Sequence, residues 1–115
     1  YPWHLLVGNN VWVGEGCWID NLAKVELGDN VCVSQGAFLL TGNHNYSKQT
    51  FDLITKSISI EEGSWIGAKA IVCPGIICES HSVLSVGSIA KANLKAFTIY
   101  SGIPAEPIRE RKISL

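Results

Sequence analysis

The chain has 115 residues, room for one domain and not for a second. Its formal net charge is −1, without a long basic or acidic run, so nucleic acid is a poor fit as a partner. No apolar stretch approaches the ~18 residues of a membrane span, and no signal peptide is visible.

From Val7 an apolar anchor recurs every six residues, at Val13 and Ile19. The register slips by two residues at Val25 and resumes at Leu27, Val33 and Leu39. After a long break it returns at Ile58 and Ile60 and runs on through Ile66, Val72, Cys78, Leu84 and Ala90. Two places before these later anchors stand Ser64, Ala70, Ile76, Ser82 and Ser88. Such a period matches neither a helix nor one long strand. It fits a short strand followed by a turn, repeated. Alternate side chains of a strand point to opposite sides, so the anchor and the residue two before it face inward together. Gly8, Gly14, Gly28 and Gly67 directly follow an anchor, which suits a corner where φ is positive or the backbone is crowded. Three such strands make one triangular coil of a parallel β-helix, stacked at about 4.8 Å on the next. The competing all-β architecture, a sandwich, would place turns at uneven spacings of roughly 8–12 residues. The β-helix is expected over 1–101, with a C-terminal tail over 102–115. A start at Tyr1 and the absence of methionine read as a fragment lacking earlier coils, with an open N-terminal rung.

The four cysteines have no close paired spacing of the kind disulfide frameworks and zinc sites use. In the repeat Cys17 and Cys78 fall inward, Cys73 on a corner and Cys32 outside. They read as free thiols in a reducing cytoplasm.

The period fails over Asn45 to Ser57, so a loop is expected to project from one corner over about 42–57. A long excursion from a compact repeat costs chain entropy and is often functional. His44 stands at its lip, on an outward place. A histidine there suits a general base near neutral pH, and equally a surface residue without a role. Trp12, Trp18, Phe38, Trp65, Ile71, Ile77, Val83 and Ile89 precede anchors and should face outward. That is too much apolar surface for a monomer in water, and points to self-association, a ligand groove or both.

Several stretches carry a resemblance to a known family: YPWHLLVGNNVWVG, the TGNHNYS segment around His44, FDLITKSISIEEGSWIG, the GSI at 87–89 and the SGIPAEPIRER tail. The chain resembles the left-handed β-helix acyltransferases with hexapeptide repeats, and within them the sugar O-acetyltransferases, nearest to the colanic-acid and exopolysaccharide type. The resemblance covers essentially the whole chain. It implies a homotrimer, acetyl-coenzyme A in a groove between subunits, a sugar acceptor, no metal, and His44 as catalytic base. It implies Trp65 near the acetyl end, with trimer packing as its other reading. Ala68, Gly87 and Ser88 would border the pantetheine arm, and Arg109 the nucleotide end. Lys91 and Lys95 are phosphate candidates, although Ala90, Lys91 and Ala92 depart from the threonine–lysine pair the family often carries. Asn21 is a candidate for holding the acceptor or orienting His44, or else a corner asparagine with positive φ. Asp20 is a weaker candidate for the same job.

Two other functions compete. A zinc enzyme of the carbonic-anhydrase type needs about three converging histidines, and the chain has only His4, His44 and His81, with no close pair. A non-catalytic assembly module would explain the apolar outer faces, but has no use for the interrupted repeat.

Overall fold

The computed structural model describes residues 1–114. After a 3₁₀ turn at Pro2–His4, the first coil is β1 (Leu5–Val7), β2 (Trp12–Val13) and β3 (Trp18–Asp20). The second is β4 (Val25–Leu27), β5 (Cys32–Val33) and β6 (Phe38–Leu40). An excursion, β7 (Gly42–His44) and β8 (Leu53–Thr55), follows. The third coil is β9 (Ile58–Ile60), β10 (Trp65–Ile66) and β11 (Ile71–Val72). The fourth is β12 (Ile77–Cys78), β13 (Val83–Leu84) and β14 (Ile89–Ala90), after which come β15 (Thr98–Gly102) and β16 (Ala105–Glu110). Corresponding strands pair in parallel. The first face is β1-β4-β9-β12, the second β2-β5-β10-β13-β15 with β16 added antiparallel, and the third β3-β6-β11-β14. This is the parallel β-helix the hexads predict.

Register follows the anchors. Val25 pairs with Ile58, Val33 with Ile66 and Leu39 with Val72, so like positions stack along the prism. The slip at Val25 is visible as the offset from Asn9 to Asp29, 20 positions, where Ser64 and Ser82 in regular coils lie 18 apart. Leu27, Leu39, Ile60, Ile66, Val72 and Leu84 are at most 1% exposed. Each such side chain contributes roughly 1.5–3 kcal/mol on burial. Small inward residues keep the interior narrow, and their hydroxyls are satisfied. Ser64 Oγ donates to the Glu79 carbonyl at 3.0 Å and lies 3.3 Å from Ser82 Oγ. The first coil is the end rung of the described residues, and its inward Val7 and Val13 are 50% and 45% exposed.

The corners correct one expectation. Glycines after anchors do not take positive φ; that falls two places later, at Asn10, Gly16, Asn30 and Lys69. They are there because the coils close up on them. A Cβ on Gly67 would sit 2.6 Å from Val86 N and 2.8 Å from Leu84 O. The two readings offered for these glycines thus separate, and crowding is the cause.

The outward apolar residues differ in exposure. Trp12, Trp65, Trp18, Phe38 and Ile77 are exposed, whereas Ile71 and Ile89 are half-buried. Val83 departs from its expected outward exposure and is only 8% exposed. It lies between the larger Trp65 on one side and Ile99 of β15 on the other. The second and third faces carry the aromatic columns, while the first carries Leu6, Glu26, Ser59 and Ile77. The tail is likewise more structured than expected, since β16 runs back along β15 as the last strand of the second face.

The cysteines are free, with Cys78 buried and Cys17, Cys32 and Cys73 half-buried. Burial, with the Glu61 carboxylate adding to it, pushes the Cys78 thiol up to about 12. Burial also raises Cys73, partly offset by Lys91.

Candidate active site

The excursion is a β-hairpin, not an irregular loop. Gly42 pairs with Thr55, Asn43 with Ile54 and His44 with Leu53. It leaves the prism between β6 and β9, at the corner joining the third face to the first. Its base is tied to the first coil by Asp20. The Asp20 carbonyl accepts from Thr41 N at 3.1 Å and from Thr41 Oγ1 at 2.6 Å, and Asp20 Oδ2 accepts from Gly42 N at 3.3 Å.

His44 ends β7 and is exposed. Its Nδ1 lies 2.9 Å from the Phe51 carbonyl oxygen. A carbonyl only accepts, so Nδ1 carries the proton and Nε2 of the neutral ring is a bare acceptor. The hairpin tip holds that carbonyl in place. Phe51 has φ +47°, an uncommon conformation for a bulky residue. Its N–H donates to the Lys48 carbonyl at 3.1 Å, and Asn45 N donates to the Asp52 carbonyl at 2.8 Å. Thr50 Oγ1 donates to Asp52 Oδ1 at 2.6 Å and Lys48 Nζ pairs with Asp52 Oδ2 at 3.2 Å. These two contacts, Thr50 first, hold the Asp52 carboxyl below its usual range.

Asn21 is not among the residues with positive φ, so that reading of it is corrected. Its side chain engages Tyr1 instead: Nδ2 donates to the Tyr1 carbonyl at 2.6 Å and Oδ1 accepts from the Tyr1 backbone nitrogen at 3.2 Å. The Asn21 carbonyl accepts from His4 Nδ1 at 3.1 Å. Asp20, the weaker candidate by sequence, is the residue that meets the hairpin.

Trp65 lies elsewhere, on the second face. Its Nε1 donates to Ser34 Oγ at 2.8 Å, which fixes the indole at the mouth of a cleft of about 460 Å³. Ala68, Val86, Ile99 and Arg109 line that cleft together with Ser34 and Gln35. Gly87 stands at the same corner with φ +68°, and a Cβ built on it meets no atom within 4 Å. Ser88 does not join them. Its side chain is 2% exposed and its Oγ accepts from Gly102 N at 3.0 Å. Its N–H and carbonyl are spent on Ser85 and Ile71. Its hydroxyl is therefore buried away from any ligand, because its place in the hexad turns it inward.

Lys91 is also separated from Trp65. With Asn43, Ile54, Lys56, Cys73 and Pro74 it lines a second cleft of about 370 Å³ beside the hairpin. Lys95 is exposed beyond the fourth coil, where its N–H donates to Tyr100 Oη at 3.0 Å. The candidates thus form two groups. His44, Asp20, Asn21 and Lys91 lie at or near the corner between third and first faces. Trp65, Ala68, Gly87 and Arg109 lie on the second face and its far corner. Ser34, Gln35 and Ile99 were not singled out by sequence. Ser34 is 31 positions from Trp65 and meets it only through coil stacking.

Among the described residues no three His, Cys, Asp or Glu side chains converge as a metal site would require. His81 is on a third corner, its ring stacked on Phe97 at 4.6 Å between centroids. No described helix is long and apolar enough to cross a membrane.

No family model matches the chain. It is 32% identical over 111 residues to the putative colanic acid biosynthesis acetyltransferase WcaF of Escherichia coli (strain K12), covering 96% of this chain and 61% of that protein. The match to a solved maltose O-acetyltransferase from Clostridium difficile 630 has a TM-score of 0.93 at 25% identity, over 98% of this chain and 62% of the other. A hexapeptide-repeat acetyltransferase of Vibrio cholerae O1 biovar eltor, solved with acetyl coenzyme A, matches in fold with a TM-score of 0.89 at 24% identity, over 96% and 62% of the two chains. These three proteins are acetyltransferases by name, the Vibrio cholerae one of the hexapeptide-repeat type, and the chain spans about three fifths of their length.

Proposed function

We propose that the chain is the β-helix part of an acetyl-coenzyme A-dependent O-acetyltransferase acting on a sugar hydroxyl. The observation that carries this reading is the His44 imidazole, with Nδ1 bound by the Phe51 carbonyl and Nε2 free. The relatives named above support the donor and the acceptor class, and the WcaF likeness favours an exopolysaccharide precursor. The fit to hexapeptide-repeat structures supports a left-handed winding.

A sugar hydroxyl is a weak nucleophile. His44 Nε2 takes its proton as the oxygen attacks the thioester carbonyl carbon. The carbon–sulfur bond breaks, acetyl leaves on the sugar oxygen, and the proton passes from the imidazole to the departing thiolate. A positioned base contributes about 10²–10⁴-fold. Direct transfer needs no acyl-enzyme, because proximity in one groove supplies much of the rate. The positive charge gained by the imidazole spreads to Nδ1–H and its carbonyl partner.

The groove lined by Trp65 does not include His44. A second copy resolves this. Two different apolar faces on one chain suit a heterologous contact, which makes a ring where its rotation closes. A trimer in which the hairpin of one subunit meets the Trp65 cleft of the next completes the site and covers Trp12, Trp18 and Phe38. In that groove Ala68 and Gly87 offer close backbone approach to the pantetheine arm, Arg109 a cation to its nucleotide end, and the partner's corner contributes Lys91.

The test is thiol release from acetyl-coenzyme A with a panel of sugar acceptors. Acceptor-dependent release that falls at least 100-fold in His44→Ala is expected. Undiminished transfer by an assembled His44→Ala protein would remove the base from the account.

A further inference from the structure

We infer that Arg111 is a positioning residue for the donor cleft, acting through Arg109; this rests on the acetyl-transfer reading above. Strand β16 is an edge strand, hydrogen-bonded on one side to β15 alone. Its ladder is irregular near Arg109: Ile99 pairs with Arg109 while Tyr100 pairs with Pro107, which leaves Ile108 as an extra residue. A bulge re-aims the side chains beside it. Pro107 cannot donate to a ladder, which weakens the strand further. Arg109, a wall of the Trp65 cleft, therefore sits on an edge strand, beside its bulge.

Arg111 secures its end. Its N–H donates to the Phe97 carbonyl at 2.7 Å. Its Nη1 reaches back along the corner between first and second faces, donating to the Gly63 carbonyl at 2.7 Å and the His81 carbonyl at 3.3 Å. These two carbonyls belong to successive coils, at residues with φ +69° and +59°. The corner's own coil-to-coil bonds use other carbonyls, from Gly63 N to Asp29 O and from His81 N to Glu62 O. One guanidinium thus clamps the tail to the third and fourth coils. Beneath it the His81 ring stacks on Phe97 at 4.6 Å between centroids. Hydrogen bonds from a charged donor are stronger than neutral ones and need this fixed geometry.

The experiment pairs coenzyme A titration calorimetry with amide hydrogen exchange on the assembled protein, for Arg111→Ala, Arg111→Lys and Arg109→Ala. Arg111→Ala is expected to bind coenzyme A about tenfold more weakly, close to Arg109→Ala, with kcat nearly unchanged and KM for the donor raised. Exchange should quicken in 105–110 and not in β5 or β10. Arg111→Lys keeps one charged donor and should recover part of both effects. Unchanged affinity and exchange in Arg111→Ala would overturn the assignment, and so would a uniform loss of protection with no change in affinity. If the unaltered chain takes no coenzyme A, the acetyl-transfer reading fails, while exchange in 105–110 still decides whether Arg111 holds the strand.

Discussion

Two glycine-to-alanine changes separate crowding from access. At Gly67 the new methyl would lie 2.6 Å from Val86 N, 2.8 Å from Leu84 O and 2.8 Å from Ser85 C, all backbone of the next coil. Backbone cannot rotate away, so the coils must part at that corner. The Gly67 N to Leu84 O hydrogen bond, 2.7 Å, is stretched with them. Overpacking costs about 1–3 kcal/mol and a weakened hydrogen bond about 1 more, giving roughly 2–4 kcal/mol. For a chain of this size that lowers Tm by about 8–15 °C. At Gly87 the methyl meets no atom within 4 Å, and the cost is that of holding alanine at φ +68°. That is about 1 kcal/mol, or roughly 4 °C. The methyl instead stands in the proposed donor groove, so coenzyme A affinity should fall while the fold holds. Thermal scans and titration calorimetry of both variants check this. A Gly87→Ala protein less stable than Gly67→Ala would refute the close stacking of coils at Gly67.

Leu39 is fully buried, and Leu39→Ala should cost about 2–5 kcal/mol in denaturant unfolding. The Cys78 thiol is raised in the fold to about 12 from an ordinary 9.0. The unfolded chain therefore loses this proton first, and the stabilisation is complete below about pH 9 and declines as pH rises towards 12. The Cys78 share of the slope should approach ~1.4 kcal/mol per pH unit, and Cys78→Ala should remove that share and leave the contribution of Cys73. Asp52 has the opposite sign: its carboxyl is lowered by Thr50 and Lys48, so its contribution is present above the ordinary carboxylate pKa and is lost as pH falls through the folded value. Asp52→Asn should loosen the Phe51 carbonyl and raise the Nε2–H tautomer of His44, read by nitrogen-15 shifts of the imidazole.

The prism was legible because its cause is periodic. Every sixth residue meets the same interior, so Leu27, Val33 and Leu39 announce the fold without any knowledge of contacts. The break at His44 was legible for the same reason, as a failure of that constraint. What pairs across the break was not, since Asn43 with Ile54 and His44 with Leu53 follow no hexad. Val83 faces outward as its hexad says, yet it is covered, because a hexad gives the direction of a side chain and not what covers it. Ser88 followed its hexad inward, which the resemblance to a ligand-bordering segment obscured. The division of the candidate residues between two sides of the prism is geometric. It appears only when the coils are closed, and it is what makes a second copy necessary to the proposed chemistry.

The most direct test of that necessity is subunit complementation. His44→Ala and Trp65→Ala chains are unfolded together, refolded as a mixture, and assayed for acetyl transfer. If each site takes His44 from one subunit and the Trp65 cleft from the next, random mixing at equal amounts places an intact pair at about a quarter of the sites. Activity near a quarter of the unaltered protein's, from two variants each nearly inactive alone, is the predicted result. Activity no higher than the average of the two variants would contradict a site shared between copies.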